Sequence, residues 1–333
     1  MKARHWRDSA EFMLMSLIVV GASGAFIATL LWQATASPPY EAPRVTWQVP
    51  RQVLAFYYLW YSASDYWPAR TADTPLLGNY DSGNVSVMRT HIQWAKVANI
   101  TGFICSWWGR DQTDTNFATL LNLSETDPAC HMNLTVYYET YGHSGDVIER
   151  DLQYILETYG SSPNFLKLNG TPVIFIYIPG TVPVSTWASV FSNLSDQGLH
   201  GYFIGDTNDP SYFWVFSGVH TYNPLLQVLT GNDLAAFDRQ GATEAHAYQL
   251  IHCATVTPGY DDRKIRSPGY YLPRAGGTTY AQIWQAALTS GTDWVLITTF
   301  NEWWEGTQIE PSVNDSVSYL NQTCQFASQF LLT

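Results

Sequence analysis

From residue 50 onward, short apolar runs alternate with helix-like stretches. The apolar runs are Val53–Trp60, Gly102–Trp107, Leu134–Glu139, Val173–Ile178, Tyr202–Gly205, Gly218–Tyr222, Cys253–Thr257 and Trp294–Phe300. They are rich in β-branched and aromatic residues, are four to eight residues long and often end in Gly, Pro or Asn, which predicts strands. Between them, Val85–Ala98, Phe117–Leu123, Asp146–Tyr159, Thr186–Leu194 and Tyr280–Thr289 predict helices. Asp146 followed by Glu149 reads as a capping pair at a helix start, with Ser144 and Gly145 as the loop before it.

Eight strands alternating with helices over about 280 residues predict an α/β fold, a single (β/α)8 TIM barrel. An open doubly wound sheet usually brings a glycine-rich phosphate loop after its first strand, and neither G-x-G-x-x-G nor a P-loop occurs. With no internal repeat, low-complexity stretch or second linker, residues 51–333 read as one catalytic domain. Residues 37–50, which hold Pro38, Pro39, Pro43 and Pro50, read as a linker.

The N-terminus changes the picture. Phe12 to Trp32 form an uncharged run of 21 positions, enough to cross a bilayer as a helix, and Lys2, Arg4 and Arg7 precede it. Ala34-Thr35-Ala36 offers a cleavage site before Ser37, although the run is longer than the apolar core of about 7–15 residues usual in cleaved signals. Residues 1–36 are therefore expected to be a cytoplasmic stub with a signal-anchor, or a signal peptide. Both place the rest of the chain in the lumen or outside the cell, membrane-anchored or, if cut, secreted.

N-x-S/T sequons agree with that compartment. They occur at Asn84, Asn99, Asn122, Asn133, Asn169, Asn193, Asn314 and Asn321, eight of fifteen asparagines, and predict N-linked glycans. Asn99 and Asn133 lie close to expected core strands. Cys105, Cys130, Cys253 and Cys324 allow two disulfides there, although Cys105 within an apolar strand reads equally as a buried free thiol.

Composition narrows the function. Of 333 residues, 15% are aromatic and 13% charged, against about 25% charged in an ordinary soluble domain. So many aromatics exclude disorder. The formal charge of −12 speaks against a nucleic-acid partner, which needs a basic surface. Only three basic and two acidic residues lie within 1–36, so the exported part carries 13 basic against 26 acidic residues, a net of −13.

In a TIM barrel the chemistry sits at the C-terminal ends of the strands. Here those ends read Tyr57-Tyr58-Leu59-Trp60-Tyr61, Ser106-Trp107-Trp108, Tyr137-Tyr138-Glu139-Thr140-Tyr141, Tyr177, Asp206, and His220 with Tyr222. After the seventh strand come Pro258-Gly259-Tyr260-Asp261-Asp262 and Arg266, and the eighth runs into Phe300 through Glu310. Pyranose rings stack their C–H faces on Trp and Tyr while carboxylates and amides take the hydroxyls, so this rim suits a sugar. Glu302 and Glu305 stand three positions apart among tryptophans. Glycosyl transfer needs one group to protonate the leaving oxygen and another to assist from the opposite side. Apolar neighbours would keep one of them protonated. The histidines are scattered, no H-E-x-x-H occurs and the cysteine spacing fits no zinc pattern, so no metal is expected.

Ile297-Thr298-Thr299-Phe300-Asn301-Glu302-Trp303-Trp304-Glu305-Gly306-Thr307-Gln308-Ile309-Glu310 closely resembles the signature of glycoside hydrolase family 99, the endo-α-1,2-mannosidases and endo-α-1,2-mannanases. Phe56 through Tyr61, Ser106-Trp107-Trp108, Tyr154 through Gly160, Val173–Tyr177, His220-Thr221-Tyr222, Pro258-Gly259-Tyr260-Asp261 and Ile265-Arg266 are similar to the family in the same order. The resemblance implies a barrel that cleaves internal α-mannosidic linkages with retention, through a 1,2-anhydro sugar. It implies no metal or organic cofactor. It makes Glu302 the base on the substrate 2-hydroxyl and Glu305 the general acid and then base. Tyr58, Trp60, Trp108, Glu139, Tyr177, Tyr222, Tyr260 and Arg266 become candidate substrate-binding residues. The family's eukaryotic members are Golgi proteins with an N-terminal anchor.

Two departures bear on the sugar and linkage. Trp304 stands where the family commonly has His, and the loop Ser62-Ala63-Ser64-Asp65-Tyr66-Trp67-Pro68 differs from the usual short polar one. A hydrolase of another α-glycan and an inactive, membrane-anchored carbohydrate-binding or surface protein on the same barrel are the alternatives.

Overall fold

A computed structural model of the chain describes residues 40–332 apart from Tyr66. Eight parallel strands close into a barrel: β1 Gln52–Tyr57, β2 Gly102–Trp107, β3 Asn133–Glu139, β4 Thr171–Tyr177, β5 Tyr202–Asp206, β6 Gly218–His220, β7 Ile251–Val256 and β8 Trp294–Ile297. Closure is complete, because β1 pairs with both β2 and β8, and β3 pairs directly with β4. The helices are α1 Val85–Val97, α2 Gln112–Thr126, α3 Gly145–Tyr159, α4 Val184–Asp196, the short α5 Leu225–Leu229, α6 Leu234–Ala247, α7 Thr278–Thr289 and α8 Ser318–Leu332. The expected TIM barrel is therefore observed, with one irregularity. Between β5 and β6 there is only a 3-10 turn, Pro210–Tyr212.

The strand period of two splits each strand between two cores. Val53, Ala55 and Tyr57 of β1 face the helices, as do Phe103, Cys105 and Trp107 of β2 and Leu134, Val136 and Tyr138 of β3. Leu54 and Phe56, Ile104, Tyr137, Val173 and Phe175, Tyr202 and Ile204, Ile251 and Cys253, and Trp294 and Leu296 fill the barrel. The next inward position up each strand becomes polar, and the site begins there. His220 belongs to the filling. It packs against the Phe56, Tyr137 and Phe175 rings with neither ring nitrogen hydrogen-bonded, and burial pushes its pKa down to about 3, so the ring is neutral.

Residues 40–50 run along the N-terminal ends of the strands. Ala42 N–H donates to the Trp214 carbonyl, Arg44 donates to the Phe213 and Trp214 carbonyls, and Val45 N–H donates to the Gln249 carbonyl. Val49 is buried with the barrel-filling residues, so this stretch closes the barrel floor.

Several boundaries differ from expectation for local reasons. The first, sixth and eighth strands stop at Tyr57, His220 and Ile297, short of the ends expected at Trp60, Tyr222 and Phe300, and the surplus residues form loops that carry the site. Ile178 closes β4 with a φ of +36°. Helix α2 starts at Gln112 rather than Phe117, because Asp111 caps it by accepting from Thr113 N–H. Asp146 and Glu149 do not form a capping pair: Ser144 is the N-cap, Asp146 lies in the first turn, and Glu149 instead accepts from Asn193 Nδ2. The sequence reading lacked α5, α6 and α8. Small and polar residues dominate α6, which buries only Leu234, Asp238, Ala242 and Ala245.

All four cysteines are free thiols, so the two allowed disulfides are not formed; Cys105, Cys130 and Cys253 are buried. Seven sequon asparagines are exposed, Asn99 among them, while Asn133 at the start of β3 is half-buried. The apolar run from Phe12 to Trp32 lies outside the described residues, and among those described no helix is long and apolar enough to cross a membrane.

Candidate active site

The loop that leaves β8 turns back on itself at the barrel mouth. Thr299 N–H donates to the Thr307 carbonyl, and Ile309 and Glu310 N–H groups donate back to Phe300. Gly306, with a φ of +63°, makes the turn where the backbone of Asp261 approaches, and Asp261 N–H donates to the Glu305 carbonyl at 2.7 Å. Asn301 ties this loop to β1: its amide accepts from Tyr58 N–H at 2.7 Å and donates to the Tyr58 carbonyl at 3.0 Å.

Glu302 is buried. Its carboxylate accepts from Tyr61 OH at 3.2 Å and from Trp304 N–H at 3.0 Å, and its own N–H donates to Thr299 Oγ1 at 2.7 Å. Glu305, more open to solvent, accepts from Arg266 Nη1 at 2.9 Å and from Tyr222 OH at 3.5 Å. Tyr58 OH lies 2.7 Å from Tyr222 OH. Arg266 is oriented by Asp262 at 2.8 Å and by Tyr260 OH at 2.9 Å.

Burial raises the pKa of both glutamates, and the charge of Glu305 raises Glu302 further. They titrate as a pair that keeps a proton well above the pH at which free carboxylates lose it. Arg266 pulls Glu305 back toward its ionised form, and no cation touches Glu302 among the described residues.

Beyond the pair, Glu139 accepts from Ser106 Oγ at 2.7 Å, and Trp108 Nε1 donates to the same hydroxyl. Burial pushes Glu139 up to about 8, helped by Asp206 and Glu305 and opposed by the Ser106 bond. Asp206 accepts from Tyr222 N–H at 2.9 Å and from Tyr137 OH at 3.3 Å, and burial pushes it up to about 6. Tyr177 meets Tyr137 and Tyr222 edge-on, with ring centroids 5.4 and 6.0 Å apart.

A tryptophan wall flanks the carboxylates. Trp60 and Trp304 stack with centroids 5.8 Å apart and planes 14° from parallel, Arg70 lies over the Trp304 ring, and Trp108 at the rim is 37% exposed. The unusual loop after β1 supplies Trp67, buried against Tyr61, Tyr80 and Trp303.

All ten residues singled out in the sequence, Tyr58, Trp60, Trp108, Glu139, Tyr177, Tyr222, Tyr260, Arg266, Glu302 and Glu305, thus belong to one mouth. Tyr61, Ser106, Asp206 and Asp262, which stand at the expected strand ends without an assigned role, join the same mouth, whereas no sequence signal points to His91 or Tyr80. Among the described residues, no group of three or more His, Cys, Asp or Glu side chains is placed to hold a metal.

Barrel and mouth together define a carbohydrate-active TIM barrel of the glycoside hydrolase class. The chain matches the model of glycosyl hydrolase family 99 over residues 68–331 and belongs to that family. A glycoprotein endo-alpha-1,2-mannosidase from Rattus norvegicus is 28% identical over 261 residues, 72% of this chain and 56% of that one. A glycoprotein endo-alpha-1,2-mannosidase-like protein from Homo sapiens is 29% identical over 262 residues, 72% and 57% of the two chains. The chain thus spans little more than half the length of these curated relatives. Among solved structures, a GH99 endo-alpha-mannosidase from Bacteroides thetaiotaomicron superposes with a TM-score of 0.74 at 26% identity, covering 84% of this chain and 97% of that one.

Proposed function

We propose that the chain is a retaining, endo-acting glycoside hydrolase that cuts internal α-mannosidic linkages of a glycan or mannan. The observation that carries this reading is the pair of coupled glutamates in one loop, with Arg266 on Glu305 and Tyr61 on Glu302. Substrate reorganises the pair. A sugar 2-hydroxyl donating to Glu302 favours its carboxylate form, so the shared proton passes to Glu305.

Glu302 then takes the 2-hydroxyl proton, O2 closes on C1, and the leaving oxygen departs with the proton of Glu305. In the second half, Glu305 takes a proton from water as that water opens the 1,2-anhydro ring at C1, and Glu302 returns its proton to O2. Two inversions at C1 give net retention. The tryptophan wall stacks the sugars on either side of the scissile bond, and the neutral carboxyl of Glu139 donates to a sugar oxygen. The catalytic domain works in the lumen or outside the cell, held by the segment before it or released.

The test is to assay the full chain and the Glu302→Gln and Glu305→Gln variants on α-mannan and on a glucosylated high-mannose glycan, with α-glucans alongside. The expectation is an oligosaccharide product of retained anomeric configuration, lost in both variants. Undiminished turnover by either variant overturns the assignment. Cleavage of α-glucans alone overturns the substrate class, and glycan binding without any product overturns catalysis.

A further inference from the structure

Behind the catalytic loop lies another buried carboxylate, which makes no direct contact with Glu302 or Glu305. Glu310 and His91 are both fully buried, and His91 Nε2 lies 3.0 Å from Glu310 Oε1. The other oxygen of Glu310 accepts from Tyr80 OH and from Trp303 Nε1, each at 2.8 Å. On its far side, His91 Nδ1 meets Tyr57 OH at 2.9 Å. With the tyrosine hydroxyl donating to Nδ1, the imidazole offers Nε2–H to Glu310, whose carboxyl group thus receives three donors from three parts of the chain.

Those donors come from α1, the loop before it and the catalytic loop itself. Trp303 is the hinge: its indole N–H holds Glu310, while its backbone N–H donates to Tyr61 OH at 2.9 Å, and Tyr61 donates in turn to Glu302. A buried carboxyl group that loses one of its donors has to recruit another or move, because a polar group left unsatisfied away from water is strongly disfavoured. Movement of Glu310 would carry Trp303 with it, and a shift of order 1 Å at a reacting group costs about 100-fold in rate.

We propose that His91 is a positioning residue for the reaction: through Glu310 and Trp303 it fixes the loop that sets the Glu302 carboxylate. This rests on Glu302 and Glu305 being the reacting pair.

The test uses the full chain and the glycan that it cleaves, comparing His91→Phe, His91→Gln and Glu302→Gln. The phenylalanine keeps the ring and removes both bonds, whereas the glutamine amide offers Glu310 a donor again. The expected result is a His91→Phe chain that folds, with kcat down by about 10- to 100-fold and KM changed less than about threefold, and with most of kcat recovered in His91→Gln. A folded His91→Phe chain with kcat within about threefold of the parent overturns the proposal. So does a loss confined to KM, or a loss that His91→Gln fails to recover.

If His91→Phe does not fold, the same comparison is read from Tyr80→Phe, which removes one donor from Glu310 and keeps the ring. There too, a lowered kcat at constant KM supports the proposal and an unchanged kcat overturns it. Glu302→Gln separates the two layers. If it stays active, the catalytic pair is wrong and the basis for His91 goes with it. If it is dead while His91→Phe is unimpaired, the positioning role alone fails.

Discussion

Arg266 and Glu305 meet through a single guanidinium nitrogen, Nη1, which lies 2.9 Å from Glu305 Oε1 and serves Asp262 Oδ2 at 2.8 Å as well. One charge thus divides between a buried anchor and the candidate acid. Arg266 lowers the pKa of Glu305 while burial raises it. The alkaline limb of kcat/KM reports loss of the pair's proton. Replacing Arg266 with Gln is expected to move that limb to higher pH and to lower the maximum rate. A pH–rate profile of the two chains checks this, and a limb that stays in place or moves down counts against the assignment of Glu305.

Glu139 makes a prediction about stability. Its folded pKa of about 8 lies above the ordinary value of 4.5, so between those values the folded chain keeps a proton that the unfolded chain has lost. Folding stability therefore falls as pH rises through that window, by about 1.4 kcal/mol per pH unit at most, and levels off above it. Glu139→Gln, a neutral mimic that can still accept from Ser106, removes this penalty. The two melting curves should coincide near pH 4 and separate by pH 8, with the variant the more stable. Equal melting temperatures at pH 8 would show that Glu139 is ionised in the fold without cost.

The stacked pair of Trp60 and Trp304 predicts a split in kinetics. Trp304→Ala removes the proposed sugar platform and leaves in place the backbone N–H that binds Glu302. An aromatic contact is worth about 1 kcal/mol, so KM should rise about fivefold with a smaller change in kcat. Steady-state kinetics on the cleaved glycan measure both. A fall in kcat alone would instead make Trp304 part of the loop's support.

The barrel was readable because eight short apolar runs, rich in β-branched and aromatic residues, alternate with helix-like stretches. The period of two within each strand then sorts the inward-facing positions at the mouth. Tyr202 and Ile204 point into the barrel, so Asp206, two further on, points into its mouth, just as Tyr137 points toward Glu139 and Phe175 toward Tyr177. Asp206 was thus within reach of the pattern. His91 and Tyr80 were not. His91 shares the buried face of α1 with Met88, Ile92 and Ala95 and reads as a core residue, and only the folded loop brings Glu310 to it from 219 positions away. Helix α6 was missed because alanine and polar residues there give little amphipathic contrast. The capping pair at Asp146 failed because backbone conformation, rather than residue type, decides where a helix begins.

Glycan occupancy should follow local geometry. Asn133 is half-buried within β3, and the hydroxyl of its sequon partner Thr135 is buried and donates to the Val173 carbonyl. Peptide mapping after enzymatic deglycosylation in heavy-oxygen water is expected to find Asn133 unmodified. Occupancy is expected at exposed loop positions such as Asn314. A glycan at Asn133 would require β3 to be modified before it pairs.

The barrel floor is not built from the βα repeat alone. Residues 40–50 lie across it, bonded to the segments that enter β6 and β7, while the catalytic loop opens at the opposite end of the strands. A chain trimmed to begin at Arg51 would keep every strand and every site residue, yet it would leave Val49's place empty and uncap the Trp214 and Gln249 carbonyls. The short stretch that looks like packaging is in effect the bung of the cask.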